Sequence, residues 1–168
     1  MSDNIFLIGM MGSGKSTTAR ELAAIRGLRF VDLDACIEES RGKSINQIFS
    51  EDGERFFREL EKRSLNGALK QSSQVVATGG GVVLDRSNVD AMRGSGKVVY
   101  LKTDFSVLWE RVKDSKTRPL LKADSPQALF RALFDARTPL YEQACHYSVL
   151  TDRKTPREVA VDIDRLLN

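Results

Sequence analysis

A chain of 168 residues with 41% apolar and 29% charged side chains fits one soluble globular domain, and its net charge of +3 comes from lysines and arginines interspersed with acids. That distribution excludes the concentrated basic patch of a nucleic-acid-binding protein and makes a small polyanion the simpler partner. No run of about 18 apolar residues occurs, and Met1-Ser2-Asp3-Asn4 lacks the features of a signal peptide, so no membrane partner and a cytoplasmic location are expected.

The first elements already carry chemistry. Residues 5–8 are an apolar run suited to a buried strand, and residues 17–25 read as a helix with Leu22, Ala23 and Ile25 on its apolar face. Between them, Gly9-Met10-Met11-Gly12-Ser13-Gly14-Lys15-Ser16 fits G-x-x-x-x-G-K-[ST] at every fixed position. Strand, glycine loop and helix start follow in the order a polyphosphate cradle needs: N–H groups point inward and the helix N-terminus adds positive charge. Lys15 is placed to reach the β- and γ-phosphates and Ser16 to meet the accompanying Mg2+.

After a helix stop at Gly27, residues 28–33 form a second strand running into Asp32-Leu33-Asp34, two acids on one side of an extended segment. At the carboxyl end of a strand they fall beside the phosphate loop, Asp32 behind a metal-bound water and Asp34 toward an acceptor. The alternative for Asp34 is a helix cap before Ala35. Residues 35–70 read as helices, longer than a plain crossover needs, so part of them can form a substrate flap. Within them Arg58 and Glu61 are spaced to pair on a helix surface.

Residues 74–77 are a short strand ending at Thr78-Gly79-Gly80-Gly81, where consecutive glycines imply close approach to the backbone, or a flexible turn. A helix to about Arg93, a fourth strand over 97–101 and a helix over 104–112 follow, with Trp109 read as packing. The polar tract 113–122 offers Arg118 as a lid arginine, against the plainer reading of a solvated charge run. Ser125-Pro126 opens a helix with Leu129, Leu133 and Ala136 on one face, and Pro139 either kinks it or starts a new turn. A fifth strand over 147–150 and a helix opened by Thr155-Pro156, with Val159, Ile163, Leu166 and Leu167 inward, complete an α/β layer fold with a parallel sheet. Cys36 and Cys145 lack metal or disulfide spacing and are read as reduced thiols; His146 is read as structural.

Together, Gly9 to Thr17, Phe30-Val31-Asp32-Leu33-Asp34, Phe57-Arg58-Glu59-Leu60-Glu61, Thr78-Gly79-Gly80-Gly81, Arg118-Pro119-Leu120-Leu121 and Arg137-Thr138-Pro139-Leu140-Tyr141 resemble shikimate kinase, in the family's order and spacing. The resemblance implies a three-layer α/β/α fold of the P-loop nucleoside monophosphate kinase type, with a five-stranded parallel sheet in the order 2-3-1-4-5. It implies a single domain over 1–168, a substrate-binding region at about 34–61 and a lid at about 112–125. The implied reaction moves the ATP γ-phosphate to the 3-hydroxyl of shikimate, with Mg2+ as cofactor, in a monomer serving aromatic amino-acid synthesis. By resemblance, Gly12, Ser13, Gly14, Lys15, Ser16, Thr17, Arg118 and Arg153 bind ATP, with Lys154 the alternative to Arg153 beside adenine. Ser16 and, through water, Asp32 hold the metal. Asp34, Arg58, Gly79, Gly80, Gly81 and Arg137 bind shikimate, Phe49, Phe57 and Pro119 wall it, and Lys15, Asp34 and Arg118 are catalytic.

Overall fold

The structure is a computed structural model that describes residues 4–115 and 124–168. Its framework starts at β1 (Asn4–Ile8), a wholly buried strand whose side chains alternate between the two faces of a sheet. With β2 (Arg29–Asp32), β3 (Gln74–Ala77), β4 (Gly96–Lys102) and β5 (Tyr147–Leu150) it forms a five-stranded parallel sheet in the order β2-β3-β1-β4-β5, as expected. Phe6 lies opposite Val76 and Val98, and Leu7 opposite Ala77 and Val99, so like-facing apolar residues line up across the sheet.

Parallel strands need crossovers, and helices cover both faces. On one face Ile5, Leu7, Val75 and Val99 pack on Leu22 of α1 (Lys15–Arg26) and on Val159 and Ile163 of α8 (Pro156–Leu167). On the other, Phe6, Ile8, Val76 and Tyr100 meet Leu65 of α4 (Glu54–Leu69), Met92 of α5 (Arg86–Ser95), Leu108 of α6 (Phe105–Val112) and Tyr141 of α7 (Pro126–Ala144). Trp109 packs on this second core, 6.1 Å from the Phe130 ring, as its helical placement suggested. Between β2 and β3, α2 (Leu33–Arg41), α3 (Ile45–Glu51) and α4 enclose a small core of Ile37, Ile48 and Phe57. Ser44 opens α3 with a capping box.

The structure corrects several expected details. β2 ends at Asp32, and Asp34 is already in the first turn of α2, so the two acids do not share one extended segment. Asp32, not Asp34, is the cap: its Oδ1 accepts from the amides of Asp34 and Ala35 at 3.1 Å. Ser125 holds the cap position of α7 without a side-chain bond, while Pro126 does start that helix. Pro139 lies inside a continuous α7 and begins no new turn. The buried face of α7 is Phe130, Arg137, Tyr141 and Ala144, whereas Leu129 and Ala136 are exposed. Ile25 and Leu166, 37% and 48% exposed, also lie off the buried stripes of their helices. His146 is structural among its described neighbours: its Nδ1 accepts the Val98 amide at 3.0 Å beside β4. Burial, with Arg93 and Lys97 nearby, holds its pKa below the ordinary range, which keeps that acceptor neutral.

Candidate active site

The phosphate loop joins β1 to α1 at the carboxyl end of the sheet. Gly12 and Gly14 have φ of 84° and 86°, a left-handed backbone that a side chain would strain and of the kind from which anion-binding concavities are built. Lys15 folds back over the loop, its Nζ donating to the Gly9 and Met10 carbonyls at 2.8 and 2.9 Å. Ser16 Oγ donates to Asp32 Oδ2 at 2.5 Å, so the first turn of α1 and the end of β2 bring a hydroxyl and a carboxylate together. Thr17 Oγ1 donates back to Gly14 O at 3.1 Å.

A cavity of about 320 Å³ adjoins the loop, lined by Gly12, Gly14, Thr17, Arg111, Thr151, Lys154 and Pro156 among others. Lys154 lines it, while Arg153, in a left-handed conformation at φ 59°, does not. Arg111 was not singled out from the sequence. It sits at the end of α6 and donates to the Gly12 carbonyl at 2.8 Å, tying that helix to the phosphate loop. Nothing in its local pattern separates it from the basic residues that follow. Arg118 and Pro119 lie outside the described residues.

The triple glycine after β3 faces a second, charged cluster. A side chain at Gly79 would come 2.6 Å from Glu61 Oε2 and 3.0 Å from Asp34 Oδ1. One at Gly80 would contact the Arg137 guanidinium and the phosphate loop at 3.6 Å. One at Gly81 would overlap the Arg58 guanidinium. Gly81 has φ −96°, which any residue adopts, so here glycine is required for space rather than conformation. The flexible-turn reading therefore gives way to close approach by four charged side chains. Gly81→Ala is expected to displace Arg58 and raise the acceptor's KM by about 1–3 kcal/mol, roughly 5- to 150-fold, with ATP affinity unchanged. Equal losses for both substrates in steady-state kinetics would contradict this.

Arg58 and Glu61 do pair, at 3.0 Å, yet not on a helix surface: Glu61 is 1% exposed. The Arg58 guanidinium also reaches Glu54 at 3.2 Å and lies 5.3 Å from the Phe57 ring centroid. Phe57 in turn packs against Phe49 with centroids 4.7 Å apart. Burial raises the Glu61 pKa above its ordinary value, with Arg58 opposing the rise, and burial likewise raises that of Asp34, opposed mainly by Lys15. Taking charges out of water costs several kcal/mol per ion, so such a cluster is weak evidence for stability and stronger evidence for a site.

Arg137 is buried beside Gly80, one helical turn before Tyr141 on the same face of α7. Tyr141 then donates to Gly80 O at 2.5 Å and stacks on Tyr100 at 5.2 Å, fixing the glycine loop to α7. Glu61 and Tyr141 thus join the site although the sequence reading gave them no role; their signal was their spacing of three from Arg58 and four from Arg137 on shared helix faces. Tyr141→Phe is expected to cost about 1–3 kcal/mol in denaturant unfolding, because the Gly80 carbonyl loses its partner. An unchanged midpoint would rule that tether out.

Among the described residues, the buried side-chain nitrogen and oxygen atoms without a hydrogen-bond partner are Ser13 Oγ, Asp34 Oδ1, Arg58 Nε and Glu61 Oε2. All belong to the phosphate loop or the charged cluster. Native interiors leave few such groups unpaired, so their concentration here makes this region the candidate site for a polar ligand.

A profile of the shikimate kinase family matches residues 11–168. A shikimate kinase from Actinobacillus pleuropneumoniae serotype 5b is 41% identical over 165 residues, covering 98% of this chain and 95% of that one. Another, from Parasynechococcus marenigrum, is 46% identical over 165 residues, covering 98% and 85%. Shikimate kinase from Acinetobacter baumannii in complex with shikimate superposes with a TM-score of 0.95 at 37% identity, over 99% of this chain and 93% of that chain. A gluconokinase from Sinorhizobium meliloti, with a TM-score of 0.61 at 19% identity over 98% and 93%, shares the fold alone. Identity of this order over nearly the whole length, with a profile that covers most of the phosphate loop and all of the charged cluster, shows that the chain belongs to the shikimate kinase family.

Proposed function

We propose that the charged cluster holds shikimate with its carboxylate on Arg58 and Arg137 and its 3-hydroxyl at Asp34, while the phosphate loop presents the γ-phosphate of ATP. ATP-dependent phosphorylation of shikimate, a step toward the aromatic amino acids, comes with the family; the residue roles are our reading. What carries it is the set of unpartnered buried atoms: Arg58 Nε is a donor suited to a carboxylate, and Asp34 Oδ1 and Glu61 Oε2 are acceptors suited to hydroxyls. Guanidinium forks match a carboxylate bidentately, and Gly79, Gly80 and Gly81 leave the ring room.

Transfer forms a bond between the 3-oxygen and the γ-phosphorus and breaks the bond to the bridging oxygen of ADP. Lys15 leaves its loop carbonyls to neutralise the phosphates, and Asp34 orients the hydroxyl and accepts its proton late. Arg118 supplies positive charge to the phosphates in this reading. Ser16 and Asp32 fit a magnesium ion, because they offer hard oxygen ligands side by side at the phosphate loop. Ser16 would hold it directly and Asp32 through water, and the ion would supply charge neutralisation at the phosphates. The adenine is assigned to the neighbouring cavity, where the planar Arg111 guanidinium and Pro156 give it apolar and stacking faces. Lys154 replaces Arg153 as the residue beside it.

The site is assembled from one chain, which supports a monomer, and no helix among the described residues is long and apolar enough to cross a membrane. We place the enzyme in the cytoplasm. A coupled ADP-release assay with shikimate, gluconate and nucleoside monophosphates tests the reading. Turnover with shikimate alone is expected; comparable turnover with gluconate or a nucleotide would overturn it.

A further inference from the structure

A second cleft lies behind the substrate-binding helices, at the edge of the sheet, and neither substrate uses it. Its volume is about 440 Å³, within the usual span of small-molecule sites. It opens between the edge strand β2 and helices α2 and α4, with Val31, Leu33, Ile37, Leu60 and Ala68 as apolar walls. Arg29 and Arg63, both exposed, also line it, and among the described residues neither side chain has an ion pair or hydrogen bond.

Gly67, exposed in the last turn of α4, also lines the cleft, and a side chain built there would meet nothing within 4 Å, so this position has room for a larger residue. Ser40, Ser64 and Gln71 add polar groups that can orient a ligand. Asp32 and Glu39 stand near Cys36 on one side of the cleft, which disfavours multiply charged anions. We infer that this cleft binds an aromatic monocarboxylate, its ring between α2 and α4 and its carboxylate on Arg29 and Arg63.

The cleft and the active site share their walls. Leu33 precedes Asp34, Leu60 precedes Glu61, and Ser64 Oγ donates to Leu33 O at 3.4 Å, linking the two helices. A ring wedged between α2 and α4 separates Asp34 from Arg58 and Glu61, so occupancy raises the KM for shikimate. An effect of about fivefold or more is the ordinary scale of such coupling.

The test uses the full chain with saturating shikimate, so that the substrate's own carboxylate site is filled, and titrates 2-naphthoate while backbone amide shifts are followed by NMR. Saturable shifts at Leu33, Cys36, Leu60 and Gly67 are expected, with a Kd of about 1 mM or tighter. They should vanish in the Arg29→Glu, Arg63→Glu double variant and in Gly67→Leu, which fills the cleft with both arginines in place. Both variants should keep the parent kcat and circular dichroism. Absence of saturable shifts, binding insensitive to both variants, or fully exclusive binding with shikimate, beyond the limited mutual weakening that the coupling itself implies, would overturn the site. Binding at the cleft with an unchanged shikimate KM would overturn the coupling.

Discussion

Replacing Arg58 with alanine is expected to lower kcat/KM for shikimate by about 2 to 5 kcal/mol, roughly 30- to 5,000-fold, the cost of truncating one member of a desolvated charged pair. The structure sharpens the expectation in one respect. Because Glu61 is 1% exposed, removing its partner at 3.0 Å also strands a buried carboxylate, and the variant should lose stability as well. Arg58→Lys keeps the charge but not the fork, and should recover stability more fully than shikimate affinity. Turnover per folded molecule, with folding followed by circular dichroism, separates the two effects. Full activity in folded Arg58→Ala would remove Arg58 from the site.

Asp34→Asn should lower kcat by roughly 10²-fold or more, the scale for a positioned acid or base, with ATP affinity nearly unchanged. Capping makes no competing claim, since Asp32 is the residue that caps α2. The buried Asp34 carboxyl has a pKa above its ordinary 3.8, so its charge costs stability at neutral pH. Folded protein therefore binds the proton more tightly than unfolded chain, and this cost disappears as pH falls through the raised value. Asp34→Asn should accordingly melt higher than the parent at neutral pH, with the gap closing in acid. The same protonation removes the hydroxyl's acceptor. The acidic limb of the parent's kcat/KM profile should thus lie above the usual aspartate range, and an inactive variant that melts lower at neutral pH would contradict the assignment.

The phosphate loop was fully legible in the sequence because its function is encoded in backbone conformation and spacing, with Gly12 and Gly14 at positive φ as the pattern demands. The sheet was legible for a related reason: buried parallel strands read as continuous apolar runs. The triple glycine signalled close approach but not what approached, since Glu61, Asp34 and Arg58 arrive from helices distant in sequence. Periodicity failed where function places charge on a buried face. Arg137 occupies the inward stripe of α7, so the apolar pattern pointed to Leu129 and Ala136, which are exposed. Glu61 is hidden in α4 for the same reason, and its spacing from Arg58 suits a surface pair equally well. Local consistency breaks at sites, and these breaks fall on the residues that meet the substrate in our reading.

The claim that Arg58 acts on the substrate carboxylate is tested most directly by comparing shikimate with an analogue that lacks its carboxylate, in the parent and in Arg58→Ala. Any loss of folded enzyme reduces kcat/KM for both substrates by the same factor and cancels in their ratio. The account predicts that the analogue is a poor substrate for the parent and loses far less than shikimate when Arg58 is removed, a coupling on the order of 0.5–3 kcal/mol or above. Equal losses for the two substrates would show that Arg58 supports only its own helix and Glu61, and would contradict the account.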